Sequence, residues 1–251
     1  MLTQIASGRV YNYSHCVGRG AQSGMGFNQP ASAAVGQDDM VYVVNRGSES
    51  IGNVPWNRTG IGARISRVTI GTTPGDEEFI GEFSKYGNND GEFIWGSGVA
   101  VDSAQNVYVT DEWLNQVSVF DKEGNFISRW SALESEDGKD HGIASIALDQ
   151  SEHVFVSDGR SHEIRKFSKD GKFITSWGKS GSGEGEFNGP WGITIDQSGS
   201  VYVADHQNHR VQKFTNDGKF VSQFGKEGTG RGSLTLPTSV AVDPDGDVYV
   251  C

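Results

Sequence analysis

Cysteine is nearly absent from this chain: Cys16 and Cys251 are the two in 251 residues. Two isolated cysteines make no disulfide framework, and with no CxxC pair a structural zinc site built on thiolates is excluded. Long apolar runs are missing too. No stretch approaches the 18 residues of a membrane-spanning helix, and no N-terminal apolar run precedes a small-residue cleavage site. The chain therefore reads as soluble with no visible signal peptide; its compartment stays open, with the cytoplasm slightly favoured. Positive charge is scarce. Lys and Arg number 21 against 32 Asp and Glu, a net charge of −11. Such a surface repels phosphate backbones and disfavours nucleic acid as a partner. Apolar residues make up 35% of the chain, which suits a stack of thin sheets burying alternate residues better than a helical core.

What the chain has in excess is glycine, 35 residues against an ordinary usage of about 7%. The glycines fall in turns at fixed offsets, as hairpins require. The same spacing recurs five times: Val17, Phe83, Trp130, Trp177 and Phe224 are each followed 19 residues later by Gly36, Asp102, Asp149, Asp196 and Asp243. From Phe83 onward the period is 47 residues; the first unit alone is longer, at 66. A drift-free period of short apolar strands and Gly/Asp turns predicts an all-β fold, a β-propeller of four-stranded antiparallel blades.

The fourth unit is the clearest. Gly192-Ile-Thr-Ile-Asp196 and Val201-Tyr-Val-Ala204 read as the first two strands, joined by a turn at Gln197–Ser200. Val211–Phe214 and Phe220–Phe224 alternate as the third and fourth, joined through Asn216-Asp-Gly218. Equivalent second strands are expected at Val41–Val44, Val107–Thr110, Val154–Ser157 and Val248–Val250, and fourth strands at Phe79–Phe83, Phe126–Trp130 and Phe173–Trp177. Phe27, Phe93, Phe187 and Leu234, in the linkers, are expected to plug between blades, while the third linker has Asp140 there. The reading gives one domain over 1–251: a closing strand at 10–17, blades at 30–83, 96–130, 142–177 and 190–225, and a partial blade at 237–251. A last blade needs strands beyond Cys251, so the chain reads as a fragment with about five blades represented, of a five- or six-bladed ring.

Asp205-x-x-Asn208-x-Arg210-Val-Gln-Lys-Phe214, with Gly192–Asp196 and Val201–Asp205, resembles the NHL-repeat family over essentially the whole chain. The resemblance implies a propeller, usually six-bladed, but no single function, because enzymes, interaction domains and RNA-binding proteins share the repeat. One relative class, a peptide-amidating lyase, implies zinc held by channel histidines; another, the lactonases, implies Ca²⁺ held by Glu, Asn and Asp in the tunnel. Here the first-strand positions at the tunnel mouth are Ala31, Ser97, Ala144, Trp191 and Thr238, which supply neither set. The Asp-x-x-Asn-x-Arg motif reads as scaffold: Asp205 is expected to accept bonds from backbone N–H groups and Arg210, with Asn208 shaping the connection.

Three places stand out as candidate sites. The extra residues of the first unit form an insert, 47–63, on the rim shared with the Gly-rich linkers; Trp56 and Arg58 within it could stack on and clamp a ligand. Trp191 is the bulky outlier at the tunnel mouth. Asp140 is a rim carboxylate that could act as a base. The histidines His162, His209 and His206 invite a metal reading, but they fall toward the blade periphery, and no metal or other cofactor is assigned. Asp243-Pro-Asp-Gly-Asp247 looks like a calcium loop yet occupies an ordinary hairpin position. The leading expectation is a propeller that binds a protein, peptide or small polar ligand at the insert-bearing rim. The alternative is a hydrolase or lyase, lactonase-like or peptide-amidating-lyase-like, acting at the tunnel mouth and using Zn or Ca if metal-assisted.

Overall fold

The computed structural model describes residues 3–6, 9–12, 27–47, 62–71, 76–133 and 140–251. Near the N-terminus β1 (Thr3–Ala6) and β2 (Arg9–Asn12) pair as an antiparallel hairpin. Most of the expected closing strand at 10–17 lies outside the described residues. Four four-stranded antiparallel sheets follow, each in the strand order of the sequence. The first holds β3 (Pro30–Val35), β4 (Met40–Asn45), β5 (Arg64–Thr69) and β6 (Glu78–Phe83). The second holds β7 (Gly96–Val101), β8 (Val107–Asp111), β9 (Gln116–Phe120) and β10 (Phe126–Ser131). The third holds β11 (Ile143–Leu148), β12 (Val154–Asp158), β13 (Glu163–Phe167) and β14 (Phe173–Trp177). The fourth holds β15 (Pro190–Ile195), β16 (Val201–Asp205), β17 (Arg210–Phe214) and β18 (Phe220–Phe224). A further pair, β19 (Val240–Val242) and β20 (Val248–Val250), repeats the first hairpin of a blade. Every second and fourth strand expected from the spacing is present.

These sheets are blades because none buries its face alone. Interblade contacts supply most of the core. Val44, Ile65 and Phe93 pack on Val107 and Phe120 between the first two blades, and Val117 and Val119 meet Ile146, Val156 and Phe167 at the next. Phe155 and Ile164 meet Phe187, Val201 and Phe214 after that, and Tyr202 and Val211 meet Val240 beyond. Phe93 and Phe187 are buried plugs, and Phe27 and Leu234 are partly buried ones. Asp140 does not plug: it is exposed, and buried Ala132 and His141 lie at that interface instead.

In the second, third and fourth blades the last hairpin also leans on the previous blade. Gly218 has φ +83°, and a Cβ there would lie 2.6 Å from the Trp177 ring; Gly171 and Gly124 sit in the same way against Trp130 and Phe83. The 47-residue spacing thus repeats a glycine-on-aromatic contact as well as strands. Among the described residues no helix is long and apolar enough to cross a membrane.

Candidate functional site

The first strands β3, β7, β11, β15 and β19 lie side by side and enclose an axial space. At the end where they begin, a cavity of about 490 Å³ opens, lined by Ala31, Ser97, Ala144, Trp191 and Thr238 together with Pro30, Ser32 and Ser145. These include all five positions picked out by spacing. A second cavity of about 310 Å³ continues along the same strands through Val99, Ile146, Ile193 and Val240.

Local backbone geometry sets this mouth. The pairing of first and second strands slips in register just after Pro30, Gly96, Ile143 and Pro190. Such bulges bend a strand and re-aim its side chains. In the fourth blade the slip spans Pro190 to Ile193, so it includes Trp191. Trp191 is 40% exposed. Its ring meets His206 edge to face, 4.7 Å between centroids, and His206 Nδ1 lies 3.2 Å from the Pro237 carbonyl. The Trp191 carbonyl accepts the Ser157 hydroxyl. Gly192 permits the close approach of the next blade: a Cβ there would lie 2.7 Å from Ser239 Cα, and the Gly192 N–H donates to Thr238 O at 3.1 Å.

Several mouth hydroxyls serve the wall. Ser97 Oγ donates to the Ile143 carbonyl at 2.7 Å, and Ser32 Oγ accepts the Val99 N–H at 3.3 Å. Among the described residues no charged side chain lines the mouth cavity. The arrangement offers a shallow, uncharged recess with an aromatic wall, suited to stacking and backbone hydrogen bonds.

Asp140 is exposed, with Nη1 of Arg160 3.3 Å from its carboxylate, and it is not among the mouth-lining residues. Trp56, Arg58 and nearly all of the 47–63 insert lie outside the described residues. The insert joins β4 to β5; Asn45, where β4 ends, pairs with Pro30 at the cavity edge. Beside the mouth the structure adds a group that the spacing did not single out. Trp95 and Trp113 meet edge to face at 5.5 Å, Arg46 lies over the Trp95 ring, and its Nη2 donates to Glu112 at 2.6 Å. Trp95 occupies the linker position held elsewhere by Gln29, Gly142, Gly189 and Leu236, where it is the one aromatic.

The repeated motifs do scaffold work. Asp205, fully buried, accepts the Asn188 N–H at 2.8 Å, Asn208 Nδ2 at 2.9 Å and Arg210 Nε at 2.7 Å. Arg210 then donates to the carbonyls of Ser182, Gly183 and Glu186, fastening the Gly-rich linker. Asp111 holds the equivalent linker through the N–H groups of Ile94 and Trp95 and its own turn through those of Trp113 and Leu114, with no ion pair among the described residues; burial raises its carboxyl above the ordinary range, and the four N–H bonds offset this only in part. In the third blade His141 Nδ1 lies 2.5 Å from Asp158, with Arg165 Nη1 3.4 Å from the same nitrogen. Burial pushes the Asp158 carboxyl up, but bonds from Ser161, Gly142 and His141 outweigh it and leave it below the ordinary value.

His162 and His209, the metal candidates, have φ of +60° and +54° and accept N–H groups of the next linker, from Gly189 at 3.0 Å and Leu236 at 3.2 Å. Asn115 Oδ1 accepts the Ile143 N–H at the same position one blade earlier. Among the described residues no three His, Cys, Asp or Glu side chains are grouped to hold a metal. Asp243 accepts the N–H groups of Asp245 and Asp247 and the Tyr249 hydroxyl, closing a hairpin.

Residues 187–214, from the plug Phe187 to the end of β17, match the family model of the NHL repeat. No curated protein matches the chain. Among solved structures the chain is similar to a streptogramin B lyase, 16% identical with a TM-score of 0.61 over 89% of this chain and 62% of that one. It is similar to a protein of unknown function from Bacteroides thetaiotaomicron, 15% identical with a TM-score of 0.64 over 89% of this chain and 56% of that one. It is also similar to a catalytically inactive virginiamycin B lyase from Staphylococcus aureus with quinupristin, 14% identical with a TM-score of 0.55 over 88% of this chain and 76% of that one. At these identities the likeness is one of fold. The chain spans 62% and 56% of the length of the first two. It is an all-β propeller with an NHL-repeat match, similar in fold to these structures and not assignable to a particular enzyme.

Proposed function

We propose that this propeller binds a small ligand at the tunnel mouth, with the Trp191 ring as its stacking platform. The observation that carries the reading is Trp191 itself: a half-exposed aromatic in a recess otherwise lined by small residues, Pro30 and Val43. The uncharged lining favours a neutral or weakly polar ligand that presents a flat ring or amide face. Trp56 and Arg58, on the insert that springs from the same rim, would close over it by stacking and charge. Nucleic acid stays disfavoured by the charge of −11.

Calorimetric titration with a panel of cyclic amides and small aromatics, quinupristin among them, tests this. Binding by the wild type should weaken at least about 10-fold in Trp191→Ala, the loss of roughly 1.5 kcal/mol of aromatic contact. Unchanged affinity in that variant, or no binding by any panel member, contradicts the reading.

A second reading is lyase or hydrolase chemistry at the same mouth, favoured by the fold likeness to the streptogramin B and virginiamycin B lyases. Asp140, on the rim outside the mouth lining, would have to reach inward to serve as base, with Arg58 as clamp; the described mouth residues offer no ligand set for Zn or Ca. Consumption of quinupristin, followed by chromatography, separates this from simple binding. Asp140→Asn should then slow turnover about 100-fold, as loss of a general base does.

A further inference from the structure

At the opposite end of the tunnel the blades repeat a small polar device with variations, and the first blade lacks its carboxylate. The carboxylate at the end of the first strand accepts the tyrosine hydroxyl from the second: Tyr108 to Asp102 at 3.3 Å, Tyr202 to Asp196 at 3.1 Å and Tyr249 to Asp243 at 3.0 Å. Where the third strand has a lysine opposite, it joins the group. Lys213 Nζ donates to the Tyr202 hydroxyl at 2.7 Å and lies 3.6 Å from Asp196. The third blade has Phe155 in place of tyrosine, and Lys166 lies 3.9 Å from Asp149.

In the first blade the tyrosine is Tyr42 and the cation opposite it is Arg67. The carboxylate position is Gly36, fixed by the same hairpin bond: its N–H donates to Met40 O at 2.7 Å, as the Asp196 N–H donates to Ser200 O at 3.0 Å. Among the described residues the Tyr42 hydroxyl makes no hydrogen bond, Arg67 makes no ion pair, and Arg67 Nε is buried without a partner. Arg67 is held in place by its Nη1 bond to the Lys122 carbonyl at 2.7 Å and by the Phe83 ring. Next to that position, where a Gly36 Cβ would lie 2.8 Å from Gln105 Oε1, a cavity of about 250 Å³ opens between the first two blades, lined by Gln37, Asp38, Met40, Tyr42, Arg67, Gln105, Lys122 and Glu123. Gln105 Oε1 reaches partway in and accepts the Gln37 N–H at 2.7 Å.

We propose that this interblade cavity binds a small monocarboxylate, whose oxygens take the position of the missing aspartate against Tyr42 and Arg67. A phenol and a guanidinium held together by packing form a preorganised receptor for a carboxylate. Asp38 and Glu123 in the lining and Asp121 nearby, with Lys122 3.7 Å from Glu123, oppose phosphate or a dicarboxylate more strongly than a single carboxylate. The site lies at the opposite end from the Trp191 mouth and is independent of its function.

The test uses the protein as it stands, melted in sodium acetate and in sodium chloride at equal ionic strength. A ligand bound only by the folded state raises the midpoint in a saturable way. Acetate should do so for the wild type, whereas sulfate should give only the unsaturable rise of a salt excluded from the protein surface. Tyr42→Phe should weaken the apparent acetate affinity roughly five-fold, one hydrogen bond's worth. Gly36→Asp supplies the carboxylate internally; its Cβ would lie 2.8 Å from Gln105 Oε1, the movable end of a side chain. That variant should melt higher than wild type in chloride and gain nothing from acetate. Should it fail to fold, wild type against Tyr42→Phe decides. Equal melting of the wild type in acetate and chloride, or an acetate gain undiminished in Tyr42→Phe, overturns the proposal.

Discussion

Buried carboxylates hold this structure together one linker at a time, and they do so on different electrostatic terms. Asp205 shares its charge with Arg210, both buried. Arg210→Met removes the cation and four further donated bonds, and should cost about 3 kcal/mol in urea unfolding, as breaking a buried pair does. Asp158 and Asp111 are expected to pull in opposite directions in acid. The folded Asp158 carboxyl titrates below its ordinary 3.8, so its stabilisation is whole above 3.8 and is lost as pH falls through the folded value. The folded Asp111 carboxyl titrates above 3.8, so it binds its proton better than the unfolded chain does, and falling pH adds stability there. Asp158→Asn should therefore flatten the acid-side loss of stability, and Asp111→Asn should steepen it, in urea titrations from pH 7 to about pH 3. The role of Asp205 was legible in the sequence because an Asp with Asn and Arg a few residues on has obvious partners. The His141–Asp158 contact was not. His141 neighbours an out-of-pattern Asp140, and nothing in the order of residues says that it turns inward while Asp140 turns out.

Strands and hairpins followed directly from alternation and turn residues, since a four-stranded blade needs little beyond them. What alternation could not give was how one blade seats on the next. The seating contact joins Gly218 to Trp177, 41 positions apart, and only the packed sheets bring them together. Its weight can be measured against Gly246, which has φ +88° and no atom within 4 Å of where a Cβ would stand. Gly246→Ala should cost only the left-handed backbone, about 1 kcal/mol. Gly218→Ala should cost that plus displacement of the Trp177 ring, a further 1–3 kcal/mol or so. Equal losses in chemical denaturation would mean that the ring contact contributes nothing.

Across the molecule, the period of 47 residues carried both the architecture and the position of the mouth, because equivalent residues of successive first strands must converge on one axis. It carried much less about function. A repeat reports what all blades share, whereas a site depends on where one blade differs, and the differences at Trp191, Trp95 and Gly36 gain meaning only beside their neighbours. Trp191 is visible as an outlier in size; Trp95, equally large, precedes the strand and so falls outside the alternation that marks it. The proposed ligand site is at the mouth, and the six tryptophans give a direct way to examine it. Their indole N–H signals, assigned by single Trp→Phe variants, can be followed by NMR while the tightest-binding member of the amide and aromatic panel is added. A ligand stacked at the mouth should move the Trp191 signal in proportion to occupancy, while those of Trp130 and Trp177, held between blades, stay fixed. Movement confined to Trp130 and Trp177, or a Trp191 signal that stays still at saturation, would contradict it.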